Sequence, residues 1–391
     1  MNYNFFRAIL MVSIFLLLIL FPLLNDTFHL IKDFENTENR KVASLPAFNI
    51  ELLDPYPIEF NNFYTDNFTI RHRLIKYYNH LNLKYYKKSP LPNQVLIGKN
   101  SWLYLVGNEV NCFRGKQPFT EAELKTLKSE FEYRQQYLAT LNCKFYLLIA
   151  PVKASIYPEN LPLGMIRLMG LSWGEQLNNY LSKNSTVKTI DLFTALRSNK
   201  SDGLNYYMLD NHWNQKGGMI AAQEALRMVK KDLLPLDTIN LADYELKDSM
   251  VNSGNLAMML SNTKIFNDSV FYYHPVHGYQ SVEKEKVGYP PVDQFAYASE
   301  YEYVRETKGD KKLKLLMISD SFGANIFTFL SESFGRSVKI FDAWQYKLNE
   351  NIVAAEKPDV VMVVALESNI KNLLRYLSNK NVGDSIQVNA N

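Results

Sequence analysis

Three short runs constrain the fold of this chain more than anything else in it. "CKFYLLIAP" (143–151), "KLKLLMIS" (312–319) and "PDVVMVVALES" (358–368) are nearly unbroken apolar stretches, each closed by a proline or a polar turn. A strand apolar at almost every position is buried on both faces, and sheets covered on both faces are mostly parallel, with helices on either side. Helical patterns lie between these runs. "TEAELKTLKSEFEYRQQYLATLN" opens with Thr120 and Glu123 at capping-box spacing and keeps Leu124, Leu127, Phe131, Leu138 and Leu141 on one face. A tryptophan-containing helix near 172–183 leads to a short strand in "VKTIDLF". "QKGGMIAAQEALRMVKKDL" is helical, with Ile220, Ala221, Ala225, Leu226 and Val229 on one stripe, and "SVKIFDAW" supplies a further strand. Alternating strands and helices predict an α/β fold in three layers around a parallel sheet. Residues 235–310 break the rhythm: tyrosine-rich and polar, they read as an inserted or lid-like region.

The first residues set the address. Ala8 to Leu24 is an apolar run interrupted only by Ser13 and Pro22, just long enough to cross a bilayer as a helix. Arg7 and the α-amino group precede it, while Asp26, Glu35 and Glu38 follow, with Lys32, Arg40 and Lys41 more distant, so the local positive bias keeps the N-terminus in the cytoplasm and puts the remainder outside. No small-x-small cleavage signal follows, which favours an uncleaved signal anchor. The expected organisation is an anchor over 1–27, a juxtamembrane stalk and lead-in over 28–94, a catalytic domain over 95–380 and a polar tail over 381–391. An extracytoplasmic address permits a Cys112–Cys143 disulfide, although Cys143 also suits a small buried position. The net charge of +3, with no lysine and arginine cluster interleaved with aromatics, argues against a nucleic-acid partner. No His/Cys/Asp cluster has metal-ligand spacing, so neither a metal nor another cofactor is expected.

In open parallel sheets ligands bind beyond the carboxyl ends of the strands. Two polar turns fall at such places. In "LLMISDSFG" a strand ends, Ser319, Asp320 and Ser321 follow, and a helix begins at about Phe322. The free N–H groups at that helix start favour developing negative charge beside the Ser321 hydroxyl. In "YMLDNHWNQKGG", His212 follows Asp210 by two residues and stands just before a helix. A serine hydroxyl needs a base, histidine is the base matched to neutral pH, and an aspartate can hold its ring. Ordinary structural roles are open to the same residues. Ser321 suits a helix N-cap, Asp210, Asn211 and Asn214 suit caps for the helix at 215–231, and Trp213 suits a core.

Taken together these blocks resemble the alginate O-acetyltransferase AlgX/AlgJ-type family, a branch of SGNH-hydrolase-like proteins sometimes called DHHW proteins. "DNHWNQKGG" is similar to the family's Asp-x-His-Trp signature and "SDSFG" to its Gly-Asp-Ser-Phe block. "ENRKVASLP", "YTDNFTIRHRLI", "VLIGKNSWLYL", "APVKASIYPENLP" and "PDVVMVVALES" follow the same order, from about residue 38 to 370. The resemblance implies an SGNH-hydrolase-like (flavodoxin-like) fold with circularly permuted motif order, since the Asp–His block precedes the serine. It implies Asp210 as acid, His212 as base and Ser321 as nucleophile. Ser319 stands where the family has glycine. The Ser321 N–H is the first candidate for the oxyanion donor; Gly323 and Asn325 are further candidates, and Trp213 and Lys153 are candidates for substrate contact. Trp102, Glu367 and Asn369 fall in matching blocks.

The function so implied is acetyl transfer through a serine ester to hydroxyls of an exopolysaccharide or cell-surface glycan. The acetyl groups would come from a membrane-bound O-acyltransferase partner, and the chain would sit as a single-pass protein of the inner membrane with its catalytic domain in the periplasm. A carbohydrate acetyl esterase with the same residues, and a non-catalytic glycan-binding scaffold of the export machinery, are the alternative readings.

Overall fold

In a computed structural model, residues 3–32, 42–48, 50, 53–260, 265–291, 298–309, 311–342 and 345–378 are described; the expected polar tail lies outside them. The chain divides into two compact units, one of residues 1–91 with 257–265, the other of residues 92–256 with 266–391. In the first unit a helix runs from Tyr3 to Phe28. Its segment Phe5–Pro22 is long and apolar enough to cross a membrane, and none of it is buried in protein. Helices Tyr56–Asn67 and Arg71–Leu81 follow, the latter continuing into one π turn, Asn82–Tyr86.

The second unit is built on a seven-stranded sheet. Before it come the hairpin strands β1 (Val95–Ile97) and β2 (Leu103–Leu105). The remaining strands are β3 (Lys144–Ala150), β4 (Lys188–Ile190), β5 (Tyr244–Val251), β6 (Asp268–Pro275), β7 (Ser281–Lys284), β8 (Glu302–Thr307), β9 (Lys314–Ser319), β10 (Arg336–Phe341) and β11 (Val360–Leu366). The sheet order is β4-β3-β11-β9-β10-β8-β7. The first five strands are parallel, and β8 and β7 extend the sheet antiparallel. Numbered from β9 through β11 and then on to β3 and β4, the parallel strands lie in the order 2-1-3-4-5, that of a flavodoxin-like sheet.

The apolar runs are continuous because each strand feeds two cores. Along β3, Phe145, Leu147 and Ile149 enter one core while Tyr146, Leu148 and Ala150 enter the other. The pleat alternates side chains between faces, so a two-sided burial erases the alternation from the sequence. One core is roofed by helices Glu121–Thr140, Trp173–Asn184 and Glu350–Glu356, the other by Leu192–Ser198, Gln215–Lys230 and Gly323–Ser331. Reciprocal capping boxes start two of them, Thr120 with Glu123 and Ser172 with Glu175.

The stretch read as an inserted or lid-like region contains ordered sheet. β5 and β6 pair as a separate antiparallel ribbon, and β7 and β8 join the main sheet beside β10. Their one-sided, partly exposed strands carry little apolar pattern. The helix Leu192–Ser198, capped by Asp191, was hidden behind "VKTIDLF". Cys112 and Cys143, open to a disulfide on sequence grounds, are buried free thiols.

Two glycines allow close packing at the start of the helix Gln215–Lys230, one against the helix Gly323–Ser331 and one against the preceding loop. A Cβ on Gly218 would lie 2.9 Å from the Asn325 Cβ and 3.0 Å from its backbone, and one on Gly217 would lie 2.3 Å from the Asn205 carbonyl oxygen. We expect Gly218→Ala to cost about 1–3 kcal/mol of stability, the range for overpacking a tight contact. Thermal unfolding checks this, and an unchanged Tm would mean the two helices are free to separate.

Candidate active site

The turn after β9 comes first. β9 ends at Ser319, Asp320 and Ser321 form the turn, and the helix Gly323–Ser331 starts with Phe322 as its cap residue and no side-chain cap. Ser321 is therefore not the N-cap; its side chain stays exposed at the carboxyl edge of the sheet. Asp320 is buried and holds the turn from below. Its Oδ1 accepts from the Phe322 N–H at 2.9 Å, and its Oδ2 accepts from the Tyr346 hydroxyl at 2.5 Å, the Leu366 N–H at 2.7 Å and the Asn369 amide at 3.3 Å. Burial pushes its carboxyl above the ordinary value, against the pull of these donors. Where the related motif has glycine, the Ser319 hydroxyl is buried without a hydrogen-bond partner among the described residues. The close approach is provided across the turn instead. A Cβ on Gly323 would fall 2.0 Å from the Ser319 Oγ.

The second turn is a tight antiparallel loop. Asn214 N–H donates to the Asn205 carbonyl and Tyr207 N–H to that of His212, with Tyr206 bridged to Trp213. Asp210 and Asn211 are thereby forced to the tip. Of the residues open to capping roles, Asn214 takes one: it starts the helix Gln215–Lys230 by accepting from the Gly217 N–H at 3.1 Å. Asp210 instead turns back on His212. Its Oδ1 lies 2.7 Å from the His212 Nδ1 and accepts from the His212 backbone N–H at 3.1 Å, while its Oδ2 accepts from the Asn255 N–H at 2.9 Å.

The two turns meet. His212 Nε2 lies 2.8 Å from the Ser321 Oγ. With an ionised carboxylate on Nδ1, that nitrogen carries the proton and Nε2 accepts from the serine hydroxyl. Burial raises the Asp210 carboxyl, but the His212 ring and the backbone N–H donors outweigh it and hold Asp210 at about 2. Burial alone would lower His212; the hydrogen bond and charge of Asp210, with Glu109 and Asp320 behind it, raise it above its ordinary value. Trp213 joins the turns from inside. Fully buried, it donates from Nε1 to the Phe322 carbonyl at 3.0 Å and packs edge-on against the Phe322 ring, which also supports the His212 ring at 4.9 Å. It has no face open to a ligand.

Three buried charges grip the Asp–His loop. Lys153, just past the end of β3, donates from Nζ to the carbonyls of Tyr207 and Met208, both at 3.1 Å, and of Asp210 at 2.6 Å. Its ammonium also faces the rings of Trp102 and Tyr104 at 5.5 and 5.0 Å. Lys153 is 1% exposed, so it supports the loop from beneath. Glu109 accepts from the Asn211 amide at 2.8 Å, and Asp268 Oδ2 accepts from the Met208 N–H at 2.7 Å. Burial lowers Lys153 to about 7 and raises Glu109 to about 7, each partly offset by neighbouring opposite charge. Glu367 does similar work one strand over. Fully buried, it accepts from Val152 N–H, Gly174 N–H and the hydroxyls of Ser155 and Ser172, joining the ends of β11 and β3 to the helix at 173. Glu109 and Asp268 carry no sequence signal, because a lone acid in a loop or ribbon gains meaning only from what it faces.

Two further candidates are placed as follows. The Gly323 N–H donates to the Asp320 carbonyl at 3.0 Å and so is committed within the turn. The Asn325 amide donates to the Trp213 carbonyl at 2.9 Å, a strut between the helices, and also hydrogen-bonds the Tyr207 side chain. Among the described residues, no group of three or more His, Cys, Asp or Glu side chains converges as a metal site.

A family model described as the SGNH hydrolase-like domain of the acetyltransferase AlgX matches residues 95–288, which include Lys153, Asp210 and His212 and end before Ser321. Over those residues, just under half of the chain, the protein is similar to the AlgX-type SGNH hydrolase-like family. Two structures of Bacillus cereus PatB1, one with a sulfonyl adduct, are similar to it at 19% and 20% identity with TM-scores of 0.51 and 0.52. Each comparison covers 70% of this chain and 96% of PatB1. A DHHW family protein from Eubacterium siraeum is 16% identical, with a TM-score of 0.49, over 70% of this chain and 91% of that one. At these identities the PatB1 likeness speaks to the fold, and the fold is the SGNH-hydrolase-like α/β sheet described above. Comparison with curated proteins returns no match.

Two measurements probe this geometry. If neutral His212 is the working base, kcat/KM falls as pH drops through a value above 6.5. Asp210→Asn removes what holds that value up, so the inflection moves to lower pH while the rate falls by up to about 10⁴-fold. An unmoved inflection would mean that the titrating group is not His212. Lys153→Met leaves buried carbonyls and acids without their cation and is expected to cost about 3–5 kcal/mol. It should lower kcat with little change in KM. Intact stability with a raised KM would instead mark Lys153 as a substrate contact.

Proposed function

We propose that this protein is a membrane-anchored, extracytoplasmic O-acetyltransferase that passes an acetyl group through a Ser321 ester to hydroxyls of a cell-surface or exported glycan. The observation that carries the reading is the continuous line from Asp210 through His212 to Ser321, with contacts of 2.7 and 2.8 Å, in a chain similar to the AlgX-type family. A strand order that reads 2-1-3-4-5 only when counted from the serine strand supports the permuted arrangement.

The chemistry follows from the geometry. His212 Nε2 takes the Ser321 proton as Oγ attacks the carbonyl carbon of an acetyl ester. The oxyanion is stabilised by the Ser321 N–H and the positive end of the helix Gly323–Ser331. As the intermediate collapses, the donor C–O bond breaks, His212 returns the proton to the leaving oxygen, and acetyl-Ser321 remains. A sugar hydroxyl then enters, His212 takes its proton, the new ester forms, and the proton passes back to Ser321. Asp210 stabilises the imidazolium at both stages. The exposure of Ser321 suits an acceptor too large to be enclosed.

The apolar run Ala8–Leu24 of the helix Tyr3–Phe28, preceded by Arg7, supports an anchor in the inner membrane with the second unit in the periplasm. A membrane-bound O-acyltransferase is the proposed source of acetyl groups.

The test is intact-mass analysis of the protein after exposure to an acetyl ester. One acetyl at Ser321, absent from His212→Ala and discharged faster by oligosaccharide than by water, is the expected result. Discharge to water unaffected by sugar would make the protein an esterase. A sulfonyl fluoride should block Ser321 in the parent and fail in His212→Ala. Absence of both adducts, with glycan acetylation in cells unchanged by Ser321→Ala, would leave a scaffold.

A further inference from the structure

The first unit carries a surface that the catalytic reading does not use. Between Asp66 and Glu109 the sequence contains no acidic residue but seven lysines and arginines. Six of the seven lie in the helix Arg71–Leu81, in the π turn Asn82–Tyr86 or just after that turn, at 87 and 88. One side of these turns is buried, at Asn79 and Leu83, and Asn79 donates to the Leu260 carbonyl of the same unit. The other side is apolar and aromatic. Leu74 and Leu81 are 50% exposed, and Tyr77, Tyr78, Tyr85 and Tyr86 are each 60–67% exposed. The spacing 74, 77/78, 81 is one face of a helix. Lys84, Lys87 and Lys88, all exposed, close that face.

The position of this face relative to the apolar helix is fixed within the unit. Asn25, buried three residues beyond Pro22, donates to the Thr69 hydroxyl at 2.6 Å and to the Ile31 carbonyl at 3.0 Å. Arg73 donates to the Lys32 carbonyl at 2.5 Å. Three residues of helix advance only about 4.5 Å. The start of the tyrosine-bearing helix is thus tied to the level at which the apolar span ends, and that level in a bilayer is the headgroup region. Tyrosines with half-wet rings, leucines beside them and lysines at the rim are the composition such a layer favours.

We propose that residues 71–88 form a second membrane contact, lying on an anionic phospholipid surface beside the span, with Leu74, Tyr77, Tyr78, Leu81 and Tyr85 against the lipid and Lys84, Lys87 and Lys88 on phosphate groups. This rests on the anchoring reading above. It adds a consequence, because a stalk held flat on the lipid fixes the first unit at the membrane rather than letting it swing on a single helix. Each lysine near an anionic surface is expected to favour contact about fivefold.

The experiment uses the full chain in vesicles, with Tyr85→Trp as reporter and brominated lipid as quencher, the parent chain supplying the background. Flotation after an alkaline wash reports the anchor separately. In vesicles of phosphatidylcholine with about one-third phosphatidylglycerol, quenching of at least about twofold is expected. It should be largely lost in Lys84→Glu/Lys87→Glu/Lys88→Glu, in pure phosphatidylcholine and at high salt, with the thermal unfolding of the variant unchanged. A chain that does not float refutes the anchoring reading and this proposal with it. A chain that floats without quenching overturns the lipid contact alone and assigns the face to a protein neighbour. Equal quenching in both vesicle types overturns the role given to the lysines.

Discussion

The candidate site depends on how closely two helices can pack. Gln215–Lys230 and Gly323–Ser331 each follow a polar turn, and only their near approach puts an imidazole beside a hydroxyl. Gly218 removes a side chain that would hold them apart, Gly217 lets the Asp–His turn close on the Asn205 carbonyl, and Asn325 and Trp213 then bond across the gap. The same packing hides Trp213, so the residue most conspicuous in the motif serves as a brace. The distance between the His212 and Ser321 side chains is a consequence of helix packing, and a shift of an ångström there would break their hydrogen bond.

Around this contact the molecule places an unusual amount of buried charge. Lys153, Glu109, Asp268, Asp320 and Glu367 are all nearly inaccessible, and they bond mostly to backbone groups or short polar side chains of loops. Burying charge costs heavily and is repaid only in part by such bonds, so these residues are a poor way to gain stability. They are a good way to hold irregular backbone, which has polar groups but no ladder to satisfy them. Each of the five secures a turn at or beside the carboxyl edge of the sheet, where the chemistry is proposed. His212 is raised chiefly by Asp210, and of these five residues Glu109 and Asp320 add to that pull against the effect of burial.

The two units illustrate different uses of exposed apolar surface. In the second, apolar residues are withdrawn into two cores on either side of the sheet. In the first, a membrane-length helix and a tyrosine-bearing helix leave theirs uncovered by protein. Exposed apolar area of that extent implies another phase or another molecule as its neighbour.

By itself the sequence determined what depends on near neighbours. Apolar runs at 143–151, 312–319 and 358–368 specified strands buried on both faces, Thr120 with Glu123 specified a helix start, and the polar turns marked where strands give way to helices. Capping, turn chemistry and hydrophobic periodicity are local, so they survive in the one-dimensional string. Tertiary structure alone decided that β11 lies between β3 and β9, that β7 and β8 join the sheet, that Lys153 faces the carbonyls of Tyr207, Met208 and Asp210, and that His212 reaches across 109 positions to Ser321. Those are pairings between distant segments, set by register, helix approach and the search of buried polar groups for partners. No local pattern encodes them, because each is a property of two surfaces that meet only after the chain has folded.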